Sequence, residues 1–256
     1  MKKAKIIAII LVSVLVIAVA VTGSISVYNT KLIEEYKESA SNLPDGFVYT
    51  AHTGCINTRD NSLEAIDAGY EFGAGIVEFD LNFDENNNPL LAHDDPKGGE
   101  VTLDEAFARV ALYDGLQVNV DAKSTAALEK VVELAVKHGI LDRIFFTGIE
   151  EKDVETVRKY APEVSYYLNC EVYPARKQTE EYLLSLVERV KSSGAVGINF
   201  NKKNATKELV DCFHENGLLV SVWTVNSKTE LYKILSLSPD NITTRRPDLL
   251  KNILDE

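Results

Sequence analysis

The sequence predicts a (β/α)8 barrel preceded by one N-terminal transmembrane or signal helix, and three features carry that expectation. Short apolar or alternating runs recur eight times from Phe47 onward, each followed by a helix-length segment. The stretch that holds them, residues 46–256, suits a single barrel of this kind. Ahead of it, Lys2, Lys3 and Lys5 introduce an apolar run from Ile6 to Val21, broken only by Ser13, and no charge follows until Lys31.

The apolar run reads as an uncleaved anchor whose lysines stay in the cytoplasm by the positive-inside rule. The alternative is a leader cleaved near Ala18-Val19-Ala20, which would release a secreted protein. Either reading places the barrel outside the cytoplasm. Residues 1–23 are then the anchor or leader. Residues 24–45 are a helical linker with Leu32, Ile33 and Tyr36 on helical spacing, ended by the Pro44-Asp45-Gly46 turn.

The barrel elements follow in order. The first strand is Phe47–Ala51, and the helix Asn61–Phe72 starts at an Asn61 or Ser62 cap and stops at Gly73. The second strand is Ile76–Leu81, with a turn at Asn86–Asn88, a return strand Leu90–Ala92 and a helix Leu103–Leu112. Leu116–Ala122 is the third strand, with the helix Thr125–His138 closed by Gly139. The remaining strands are Arg143–Thr147, Val164–Asn169, Val196–Phe200, Leu218–Trp223 and Asn241–Thr244. Their helices are Glu151–Tyr160, Glu180–Ser192, Lys207–Asn216, Lys228–Leu235 and Pro247–Leu254.

The formal net charge of −12 argues against nucleic acid as a partner, because a phosphate backbone needs a basic face. It also disfavours a polybasic grip on anionic lipid. Cys55, Cys170 and Cys212 are odd in number and scattered, which indicates free thiols and neither a disulfide framework nor a thiolate metal site.

In the second strand, Glu78 and Asp80 share one face while Val77, Phe79 and Leu81 take the other, because successive strand side chains alternate. Two neighbouring carboxylates on a buried strand repel unless a cation or a proton lies between them. The third strand repeats the pattern, offering Asp121 inward with Lys123 two residues on. His52 closes the first strand, and His93-Asp94 returns from the loop after the second. Barrel active sites lie at the C-terminal strand ends, so these groups converge on one rim. Glu171, Asn199, Asn201 and Asn226 are lesser candidates placed there by strand position alone. His138 and His214 sit on helices and read as structural, and Asn82–Asn88 reads as a hairpin turn although its composition is that of a calcium loop.

These motifs, taken together and in order, resemble the glycerophosphodiester phosphodiesterase family. They comprise His52-Thr53-Gly54, Asp60-Asn61-Ser62, Glu78-Phe79-Asp80, then His93-Asp94 thirteen residues after Asp80, with Asn119–Lys123, Trp223-Thr224-Val225-Asn226 and Thr243–Pro247 further on. The resemblance spans residues 46–256, and two of its departures matter: Thr53 stands where the signature has Arg, and Asp121 where it has Glu.

The resemblance implies metal-dependent hydrolysis of glycerophosphodiesters to glycerol phosphate and an alcohol, and the N-terminal segment sets it at the outer face of a membrane. It places one divalent cation, Mg2+ or Ca2+, on Glu78, Asp80 and Asp121, and assigns acid and base roles to His52 and His93 without saying which does which. Lys123 either contacts phosphate or neutralises the carboxylates. Trp223 either walls the substrate or packs in the core. The expected partners are a small-molecule or lipid phosphodiester, with the membrane reached through the N-terminal helix. Two alternatives stand beside this reading: a barrel that binds phosphodiesters without cutting them, and a phospholipase D-like or phospholipase C-like enzyme on lipid head groups.

Overall fold

The computed structural model describes the backbone of residues 2–256 and the side chains of residues 14, 15 and 17–256. Eight parallel strands close into a barrel: β1 (Val48–Ala51), β2 (Ile76–Phe83), β4 (Gln117–Ala122), β5 (Ile144–Ile149), β6 (Tyr166–Asn169), β7 (Gly197–Asn201), β8 (Leu219–Trp223) and β9 (Asn241–Thr244). Closure is made by β1, which pairs with both β9 and β2. A ninth strand, β3 (Pro89–Leu91), folds back antiparallel on the far end of β2, pairing Leu81 with Leu91 and Phe83 with Pro89. This hairpin makes β2 two residues longer than the alternation alone predicts.

The outer ring is α2 (Leu63–Glu71), α3 (Leu103–Val110), α4 (Leu128–Lys137), α5 (Val154–Tyr160), α6 (Glu180–Ser193), α7 (Lys207–Glu215), α8 (Lys228–Leu235) and α9 (Pro247–Leu254). Hydroxyl caps fix several starts. Ser62, Thr179, Thr206 and Ser227 each accept from a backbone N–H of the first turn, and Thr102 with Glu105 forms a full capping box. Of the two caps expected for α2, Ser62 does the capping, and Asn61 turns elsewhere. α5 starts later than expected because Glu151–Asp153 form a separate 3-10 turn.

The apolar core lies between the sheet and the helices. Val77, Phe79 and Leu81, with Val118, Val120, Ile198, Phe200, Val220, Val222 and Ile242, are all buried. Each such side chain contributes about 1.5–3 kcal/mol relative to full exposure, as an upper bound. Phe79 and Phe107 meet with ring centroids 6.2 Å apart and tie β2 to α3.

The barrel interior is polar toward its C-terminal end, above the inward-facing Ile76, Phe145 and Tyr167. Thr50, Asn241 and Ser221 form one hydrogen-bonded group, Asn119 and Thr147 a second, Asn169 and Asn199 a third. Every residue of β2 is buried, so Glu78 and Asp80 sit inside the barrel and not on a rim open to water.

Ahead of the barrel, α1 runs unbroken from Lys2 to Ala40, across the junction of the expected anchor and linker. Its last turns dock on the barrel through Ile33, Tyr36 and Ala40. Val14, Leu15, Ile17, Val19, Val21, Ile25 and Val27 are each more than half exposed. Among the described residues no helix is long and apolar enough to cross a membrane. Most of the run Ile6–Val21, on which the expected anchor rests, has side chains that lie outside the described residues.

Candidate active site

Strand register assembles the site. β2 and β4 pair Glu78 with Asn119 and Asp80 with Asp121, and β4 and β5 pair Asp121 with Thr147. Oxygen atoms of Glu78, Asp80 and Asp121 therefore lie within 4.8 Å of one another. They line a cavity of about 570 Å³ at the C-terminal end of the barrel, together with His52, His93, Lys123 and Trp223. All seven residues singled out by the sequence for this site meet there.

Each carboxylate is held by neighbours. Glu78 Oε2 accepts from the Thr53 backbone N–H at 2.8 Å. Asp80 Oδ2 accepts from Asn61 Nδ2 at 2.9 Å, while Asn61 Oδ1 accepts from the Asp80 backbone N–H at 3.0 Å. Asp121 Oδ1 accepts from Thr147 Oγ1 at 3.1 Å. The Lys123 ammonium bridges Asp80 at 3.0 Å and Asp121 at 2.5 Å.

Burial, reinforced by Asp80 and Asp121, pushes the Glu78 carboxyl well above the usual carboxylate range, with the Thr53 N–H and Lys123 opposing. Burial pulls the Lys123 ammonium down, but Asp121 and Asp80 outweigh it, and the net shift is upward. Such a cluster of oxygen donors, still short of positive charge with a lysine wedged into it, is chemically suited to a hard divalent cation.

The two histidines differ. His52 follows β1, and its Nδ1 lies 2.8 Å from the Thr53 carbonyl and 3.6 Å from Glu78 Oε2. The carbonyl can only accept, so Nδ1 carries the proton and Nε2 keeps its lone pair. Burial lowers the His52 pKa, and Arg245 lowers it further, against the Thr53 carbonyl, Asp80 and Asp121. His93 is exposed at the cavity mouth, with Nδ1 3.1 Å from Asp94 Oδ1.

Beyond these residues the cavity wall includes Asp60, Asn61, Asn119, Thr147, Asn169, Asn199 and Arg245. The Asp60-Asn61 motif and the alternation of Asn119 were legible in the sequence; the use of Asn61 as an Asp80 ligand was not, because a cap was the simpler reading. Asn199 Oδ1 and Trp223 Nε1 are enclosed and have no hydrogen-bond partner among the described residues. Three lesser candidates stay out of the cavity lining. Glu171 is exposed, Asn201 accepts from the Lys203 N–H in a 3-10 turn, and Asn226 accepts from the Arg245 N–H. Asn82–Asn88 is a hairpin turn, with Asp84 Oδ1 accepting from the N–H groups of Asn86 and Asn88.

Gly148 brings β5 close to the carboxylates. Its φ is +77°, and a Cβ there would lie 2.4 Å from the Ala122 carbonyl oxygen and 2.6 Å from Asp121 Oδ1. The β5–β6 register shifts at this point, between Phe146 and Ile149.

A (β/α)8 barrel with three carboxylates able to hold a metal ion at its C-terminal end suits an enzyme of the metal-assisted phosphoryl-transfer class. Residues 110–249, more than half the chain, match the glycerophosphoryl diester phosphodiesterase family, and the chain belongs to that family of phosphoric diester hydrolases. The family depends on a divalent metal. The matched span includes Asp121, Lys123 and Trp223, while His52, Glu78, Asp80 and His93 lie ahead of it.

A glycerophosphodiester phosphodiesterase from Caldanaerobacter subterraneus subsp. tengcongensis is 23% identical over 245 residues, covering 80% of this chain and 96% of that protein. The structure of an Oleispira antarctica phosphodiesterase in complex with the product sn-glycerol-3-phosphate is similar at TM-score 0.68 and 18% identity, covering 85% of this chain and 99% of that one. A Thermotoga maritima glycerophosphodiester phosphodiesterase is similar at TM-score 0.64 and 20% identity, covering 81% and 98%. At these identities the two structures bear on the fold alone.

Proposed function

We propose that this chain hydrolyses glycerophosphodiesters to glycerol phosphate and an alcohol, with Glu78, Asp80 and Asp121 holding one divalent cation, Mg2+ or Ca2+. The observation that carries the reading is the set of three carboxylates within 4.8 Å inside a cavity also lined by His52 and His93. When bound, the cation supplies positive charge against the non-bridging phosphate oxygens as negative charge builds on them.

The chain's own groups divide the remaining work. His52 Nε2, kept neutral by burial, takes the proton of the attacking water, or first that of the substrate's own hydroxyl, in which case a water then opens the cyclic phosphate to give glycerol phosphate. His93, paired with Asp94 at the mouth, returns a proton to the leaving alkoxide. Asn61 fixes Asp80 from two sides, and the Thr53 N–H fixes Glu78. Lys123 sits between Asp80 and Asp121 and offsets part of their charge. Trp223 and Asn199 line the cavity wall, with Trp223 Nε1 and Asn199 Oδ1 enclosed behind it. The sn-glycerol-3-phosphate bound by the Oleispira antarctica phosphodiesterase supports a small diester as substrate here.

The N-terminal segment is proposed as a membrane anchor that leaves the barrel outside the cytoplasm and in reach of lipid-derived diesters. The three lysines ahead of the apolar run, and the exposed apolar side chains of α1, support it. Extraction of membranes at alkaline pH tests it, since an anchored chain stays with the bilayer.

The catalytic reading is tested with the purified full chain on a panel of glycerophosphodiesters, before and after EDTA and after metal is restored. Glycerol phosphate release that EDTA stops and Mg2+ or Ca2+ restores is the expected outcome. Binding without turnover under every metal condition would overturn catalysis and leave a phosphodiester-binding barrel.

A further inference from the structure

A phosphodiester is an anion, and the cavity is rich in carboxylates. Among its cations, Lys123 is engaged by Asp80 and Asp121, and Lys152 pairs with Glu150 at 2.7 Å. Arg245, the residue after β9, is placed differently. Its Nη1 donates to Asp60 Oδ1 at 2.6 Å, and its other guanidinium N–H groups have no partner among the described residues. Its backbone is pinned from two directions: its N–H donates to Asn226 Oδ1 at 2.8 Å, and its carbonyl accepts from the Ile56 N–H at 3.0 Å.

The second of those bonds ties the end of β9 to the turn that follows His52. The guanidinium consequently lies across Gly54. A Cβ on Gly54 would stand 2.5 Å from Arg245 Nη1 and 1.9 Å from Asp60 Oδ1, so glycine at φ +69° is what admits the pair. The neighbouring Thr53 is 2% exposed, its Oγ1 is taken by the Asn61 N–H at 2.5 Å, and it brings no charge to the cavity.

We propose that Arg245 is the phosphate-gripping residue of this site. The end of the eighth barrel strand thereby supplies the guanidinium that Thr53 does not supply from the end of the first. Asp60 holds the fork over Gly54 in the resting site, and the free N–H groups take two non-bridging oxygens of the diester. A planar guanidinium does this with parallel bonds, which an ammonium cannot. The inference rests on the phosphodiester reading and adds a binding residue to it.

The test is calorimetric binding of sn-glycerol 3-phosphate to the metal-loaded full chain, with thermal unfolding recorded in parallel. Arg245→Gln is expected to weaken binding about ten- to a hundredfold, as removal of a charged hydrogen-bonding partner does. Arg245→Lys is expected to fall between it and the parent, and Thr53→Arg combined with Arg245→Gln to regain affinity. A purely structural Arg245–Asp60 pair would instead lower the unfolding temperature and leave affinity within twofold of the parent, which overturns the proposal. Should Arg245→Gln fail to fold, Arg245→Lys decides: a loss of about fivefold or more supports the fork, and affinity within twofold overturns it. A parent chain that neither binds nor hydrolyses overturns the phosphodiesterase reading itself. A binding-competent parent with unchanged Arg245 variants overturns only the role of Arg245.

Discussion

Glu78 shows how little one hydrogen bond settles at a buried carboxylate. A single charged hydrogen bond contributes about 1.5–3 kcal/mol, whereas leaving an ion buried without full compensation costs several kcal/mol. The Thr53 N–H therefore orients Glu78 without making its charge comfortable, and a proton or a cation must do the rest. His52 is governed by the same burial with the opposite charge sign, since a desolvated imidazole favours its neutral form, which leaves the Nε2 lone pair free. If these two environments define the chemistry, His52→Ala and His93→Ala should each lower turnover by about a hundredfold or more while the circular dichroism spectrum is unchanged. Activity within tenfold of the parent in both variants would remove the paired-histidine assignment. At this scale the sequence was explicit about residue types. It did not show that Asn61 bonds to Asp80, which needs β2 and the α2 start to be side by side, or that Arg245 reaches the site, which it does only through barrel closure.

Among the elements, β2 was the most legible, because alternation separates its two faces without reference to anything else. β5 was less so. Its register against β6 is irregular around Gly148, and Gly148 is also where the Ala122 carbonyl and Asp121 leave no room for a Cβ, which no local pattern encodes. The helix α1 is an intermediate case. Its spacing predicted a short amphipathic spacer, and Ile33 and Tyr36 do face the barrel, but the helix continues without a break.

A polar clamp completes its docking: Glu256 takes Lys228 at 2.9 Å, Tyr232 Oη at 2.8 Å and Lys37 at 3.1 Å. Lys228 first, then Tyr232 and Lys37, lower the Glu256 pKa from 4.5 to about 2. A carboxylate depressed on folding stabilises above its unfolded pKa and loses that contribution as pH falls toward the folded value. At pH 6, Glu256→Gln is therefore expected to speed hydrogen exchange around residues 33–40. The difference from the parent should shrink as pH falls from about 4.5 toward 2. Equal exchange at pH 6 would show that the apolar contacts alone hold α1 in place.

For the whole molecule, the division of labour between the two sides of the sheet matters most. Aliphatic and aromatic side chains fill the space between sheet and helices, while Asn, Thr, Ser and carboxylates fill the barrel above a layer that holds Ile76, Phe145 and Tyr167. The second arrangement costs stability wherever a polar atom is left unpaired, about 1–3 kcal/mol for a group such as Asn199 Oδ1. The exposed apolar surface of α1 raises a separate question of placement. Membranes from cells expressing the full chain should retain it through alkaline extraction, and protease added from outside should reach the barrel. Release with peripheral proteins would leave the cleaved-leader alternative.

The sequence by itself determined the barrel, the carboxylates on adjoining strands, the two histidines and the family they signal. These follow from period-two alternation and from motif order, both of which are written along the chain. Only the tertiary structure decided that Lys123 lies between Asp80 and Asp121, that Asn61 serves the site and not the helix cap, and that Arg245 stands beside Gly54 where Thr53 brings no cation. Those facts join residues up to 185 positions apart through strand register and barrel closure, and distance along a chain says nothing about distance across a closed sheet.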